Sequence, residues 1–152
     1  MADNVVLSIT PERLADLFQA GGYKAEIFVD PEGTTHLRSA TGGMLFSVRF
    51  GNHVSPPAEG YVDFTYVTLI KVDGKFSMNR INDWNRQRRF ARLQKTDDYL
   101  VMDMDVVLIG GVTNTHLGAT LSLWEHLLQQ LATFLRGDAA AAPAGTGAAN
   151  VA

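Results

Sequence analysis

A chain of 152 residues with 46% hydrophobic and 19% charged residues holds one globular domain around one core, and its composition excludes disordered and fibrous classes. A net charge of -3 gives no global attraction to nucleic acid or anionic lipid. The absence of cysteine removes disulfides, thiolate nucleophiles and sulfur-ligated metal sites, so stability has to come from packing.

The opening Met1-Ala2-Asp3-Asn4 carries an acid where a secretory signal carries basic residues, and Val5-Val6-Leu7 is too short for the apolar part of one. No stretch nears the roughly 20 apolar residues of a membrane span, so the expectation is a cytoplasmic protein. Thr10-Pro11-Glu12 predicts a helix start: a hydroxyl cap, a proline where its missing N–H does no harm, and an acid at the positive end of the dipole. Leu14, Leu17 and Phe18 form its buried stripe, and Gly21-Gly22 ends it. Segments 25–29, 35–39 and 44–50, separated by the turns Asp30-Pro31-Glu32-Gly33 and Thr41-Gly42-Gly43, predict an antiparallel meander. After a loop with Pro56-Pro57, residues 61–72 are apolar on both faces and rich in β-branched and aromatic residues, which predicts a central strand.

Ser77 caps a second helix with Met78, Ile81 and Trp84 on its inner face, ending among Arg86, Arg88 and Arg89. Segments 90–95 and 99–109 predict a hairpin around Thr96-Asp97-Asp98, the second strand alternating Met102, Met104, Val106 and Leu108 with Asp103, Asp105 and Val107. A third helix over 113–135 carries Leu117, Leu121, Trp124, Leu128, Leu131 and Leu135 at helical spacing. Beside that row, about 100° around the axis, runs a second of Leu123, Leu127 and Phe134. One sheet face covers one row. The second predicts a neighbouring helix, the first helix being the intramolecular option, or a second subunit. The expected domain is therefore 1–136, with 137–152 an alanine-, glycine- and proline-rich disordered tail.

Chemistry is sparse. No G-x-S-x-G elbow and no complete phosphate-binding glycine motif occurs, and His36, His53, His116 and His126 lack metal-ligand spacing, so neither a metal nor a cofactor is expected. Asp63, Asp103 and Asp105 could share a sheet face as a carboxylate site, although alternating acids also serve to keep a strand surface wet. Gly110-Gly111 reads as a tight strand-to-helix turn. Eight of the thirteen basic residues lie between Lys71 and Lys95, interleaved with Phe76, Trp84 and Phe90; a small anionic ligand or nucleic acid could bind such a stretch.

The order of Asn82-Asp83-Trp84-Asn85, Arg89-Phe90-Ala91, the acid-bearing apolar strand and Gly110-Gly111-Val112 resembles the YbjN family of bacterial sensory transduction regulators, whose fold is similar to type III secretion chaperones. The likeness runs from Thr10 to about Leu135. It implies an α+β module of order α-β-β-β-β-α-β-β-α, often dimeric, acting through protein contacts without catalytic residues. Asn82, Trp84, Asn85, Arg89, Phe90, Gly110 and Gly111 match the family motif. The expected function is a non-catalytic, chaperone-like, homodimeric binding or regulatory protein, with Leu123, Leu127 and Phe134 at the partner interface.

Overall fold

Two hydroxyl caps set the first two helices where the sequence places them. Thr10 Oγ1 accepts from the Arg13 N–H at 3.2 Å, and Ser77 Oγ accepts from the Asn79 N–H at 3.2 Å. The computed structural model describes residues 3–56, 58–73 and 75–141. In chain order they form β1 (Val5–Val6), α1 (Pro11–Ala20), β2 (Glu26–Val29), β3 (Thr35–Thr41), β4 (Met44–Phe50) and β5 (Asp63–Lys71). Then come α2 (Met78–Gln87), β6 (Arg92–Thr96), β7 (Tyr99–Val107), β8 (Val112–Thr113) and α3 (Asn114–Ala141). The predicted α+β order is present. It gains β1 and β8, a pair of two-residue strands too short to show any periodicity.

The main sheet has six antiparallel strands in the order β2-β3-β4-β5-β7-β6. β5 therefore lies centrally, as its two-sided apolar pattern requires: Val67 stands opposite Ser47 on one side and Asp103 on the other. One sheet face points Phe46, Val48, Phe64, Tyr66, Met102 and Met104 into the core, all at most 5% exposed. Phe18 of α1 and Trp124 of α3 meet that face, with the Tyr66 ring stacked 5.5 Å from Trp124 and 6.3 Å from Phe18. Burial pushes the Tyr66 hydroxyl above its ordinary pKa, and Thr120 Oγ1 at 3.2 Å is its hydrogen-bond partner.

The second apolar row of α3 needs no outside cover. Leu127 is 3% and Phe134 2% exposed within one chain, and Leu123 packs half-buried against the same core. The cover for Phe134 comes from α2, not α1: Trp84 meets the ring edge-on at 5.3 Å and the Arg80 guanidinium lies 3.9 Å from its centroid. Periodicity counts the faces of a helix that want burial, but it cannot say which element folds over them. α2 suffices because its inner face holds one very large side chain. Met78, expected on that face, is instead 63% exposed. The helix also runs past its expected end, through 137–141, which the composition places in the tail; residues 142–152 lie outside the described ones. Alanine favours helix, and 139–141 are alanines that carry it on past Gly137.

Candidate interaction surface

The family-like motif is the joint between α2 and the edge strand β6. Asn85 puts its amide alongside Leu93 as a neighbouring strand would: Nδ2 donates to the Leu93 carbonyl at 2.9 Å, and Oδ1 accepts the Leu93 N–H at 2.9 Å. Trp84, fully buried, adds an Nε1–H to the Ala91 carbonyl at 3.4 Å. The Arg88 guanidinium lies 4.2 Å over the Trp84 ring, its nitrogens buried without a hydrogen-bond partner, and burial with Arg80 nearby lowers its pKa. Asn82 is exposed, and Arg89 lies 4.9 Å from the Phe90 ring. Phe90 itself is 58% exposed with φ at 80°, a left-handed turn that a bulky residue adopts only under constraint from both sides. Here Asn85 and Trp84 supply it, pinning residues 91–93 directly downstream. Replacing Asn85 with alanine leaves two backbone groups of Leu93 without partners, and we expect a loss of about 1–3 kcal/mol in urea unfolding with the fold retained.

Gly110 and Gly111 (φ 91° and 97°) turn the chain between β7 and β8. A Cβ on Gly111 would sit 2.5 Å from Val5 Cγ1, so the turn also receives β1. These motif positions hold the architecture together. They do not converge on a cleft.

The opposite face of the six-stranded sheet carries no helix. In register across it run Glu26, Arg38, Ser47, Val67, Asp103 and Arg92. The adjoining row contains Ala40, Leu45, Leu69 and Val101, and two of these are large and exposed, Leu45 at 69% and Leu69 at 57%. Between them lies a hollow of about 250 Å³, lined by Phe28, Arg38, Leu45, Ser47, Val67 and Leu69. Arg38 is held over the Phe28 ring at 4.2 Å, which leaves its charge at the rim.

The three candidate carboxylates lie on this face, each already occupied. Asp103, 7% exposed, accepts from Arg92 Nε at 2.8 Å; Asp105 takes Arg92 Nη2 at 3.4 Å and the Thr65 hydroxyl at 2.7 Å. Asp63 accepts from the Asn52 N–H and side-chain amide at 2.9 and 2.7 Å. Asp63 and Asp105 border one shallow cleft of about 280 Å³ with Asn52 and Thr65. Asp103 turns under Arg92 instead. The cationic stretch is likewise dispersed: Arg86 pairs with Asp83, Arg92 with the two aspartates of β7, and Lys95 with the Asp97 carbonyl. Among the described residues no group of three metal-ligating side chains assembles, and no helix is long and apolar enough to cross a membrane. Sequence reasoning missed the exposed pair Leu45 and Leu69. Each leucine sits in a run of apolar residues that hides its phase, which the register across strands reveals.

In comparison with known families, the family model YbjN, described as "Putative bacterial sensory transduction regulator", aligns with residues 10–136. No curated protein and no solved structure matches the chain.

Proposed function

The chain belongs to the YbjN family, and on that premise we propose that it is a non-catalytic regulatory module, chaperone-like and homodimeric, that acts in sensory transduction through protein contacts. The observation that supports this reading is the unequal treatment of the two sheet faces. One face is sealed by three helices, whereas the other presents Leu45 and Leu69 beside a hollow in a field of opposite charges. An exposed apolar patch rimmed by polar residues is a surface for association. The three carboxylates, and the cations Arg86 and Arg92, are committed to neighbours within the chain. Light scattering on the purified protein at tens of micromolar tests the homodimer: we expect twice 16.6 kDa. A monomer mass removes that part of the reading.

A further inference from the structure

We propose that the helix-free face of the sheet is self-complementary, and that its occupant is the same face of a second copy of this chain. This assignment rests on the homodimeric reading above and gives it a surface and a geometry. A two-fold axis parallel to the strands, placed between β4 and β5, sets each strand of one copy over its symmetry-related position in the other. β4 then faces β5 of the partner copy, β3 faces β7, and β2 faces β6.

The register decides what meets what. In the central row, Glu26, Arg38, Ser47, Val67, Asp103 and Arg92 follow one another across the sheet. Rotation sets Glu26 against Arg92, Arg38 against Asp103, and Ser47 against Val67. At the outermost step the exposed Arg92 meets the exposed Glu26 as opposite charges, while Arg38 meets the ion pair in which Asp103, 7% exposed, already lies under Arg92. In the adjoining row, Leu45 stands two residues before Ser47 and Leu69 two after Val67, so Leu45 faces Leu69 and Ala40 faces Val101. Each copy thus offers an exposed leucine beside a hollow that the partner's leucine can enter. An isologous interface requires such a reciprocal pattern, and a face that merely stays wet does not produce one.

Size agrees. Strands about 4.8 Å apart and a rise of about 3.3 Å per residue make a six-strand, five-residue patch roughly 500 Å² in plan. Side-chain relief brings that toward the about 800 Å² per partner of a stable pair. Stacked sheets lie about 10 Å apart, a spacing that interlocked leucines fill.

The test uses the reciprocity. Both leucines are exposed in one chain, so Leu45→Lys and Leu69→Glu leave its fold intact, which circular dichroism checks. Each variant alone buries two unpaired charges per dimer, and light scattering should find it monomeric. Mixed in equal amounts they should form a heterodimer, because the introduced ammonium of one chain then faces the introduced carboxylate of the other, while the two remaining leucines meet on the far side of the axis. Variants that stay dimeric alone, or a mixture that stays monomeric, would overturn the surface assignment while leaving a wild-type dimer standing. A monomeric wild type would instead remove the homodimeric reading itself.

Discussion

Trp84→Ala is expected to lower the unfolding free energy by about 3–5 kcal/mol, a large part of the about 5–15 kcal/mol that holds a domain of this size. Trp84 is fully buried, and its loss opens a cavity where three elements meet: Phe134 of α3 at 5.3 Å, the Ala91 carbonyl at 3.4 Å, and the Arg88 guanidinium at 4.2 Å. The cavity is one part of the effect. The other is that the Arg88 guanidinium, already without a hydrogen-bond partner, loses the ring that compensates its charge. Urea unfolding followed by the fluorescence of the second tryptophan, Trp124, measures the change. A shift below about 1 kcal/mol would mean that α2 is not the cover of the last turns of α3.

Leu127→Glu should unfold the chain rather than alter its assembly. The side chain is 3% exposed within one chain, so a carboxylate there enters an apolar core without a partner. Burying such a charge is worth several kcal/mol, comparable with the whole stability of the domain. Far-UV circular dichroism and light scattering on the same sample separate the two possibilities. Loss of the folded signal supports an α3 enclosed by its own subunit. A folded protein of halved mass would reinstate the second row of α3 as an intersubunit surface.

Much of the architecture was legible because local chemistry and global fold agree. Thr10 and Ser77 announce helix starts with side-chain acceptors that the structure uses, and the alternation of Met102, Met104, Val106 and Leu108 marks the inner face of β7. The turn at Asp30 is equally plain: its carboxylate accepts from the His36 ring and from the Thr34 and Glu32 N–H groups, which hold it below the usual carboxylate range. Two other features were not readable, for different reasons. The enclosure of Phe134 depends on α2 folding over it, a tertiary fact that no period encodes. Leu45 and Leu69 escaped notice because each sits in a run of apolar residues, where only the register across strands shows which side chain misses the core. The motif residues were recognisable as special before their role was. Asn85 acts as a substitute strand for β6, a use of an amide that helix propensity alone would mark only as unfavourable.

The helix-free sheet face is the surface on which the account stands, and light scattering on an equal mixture of the L45K and L69E chains tests it most directly. Two samples that are each 16.6 kDa alone should combine to twice that mass. Components that remain at 16.6 kDa after mixing, or that are already paired before it, would contradict it.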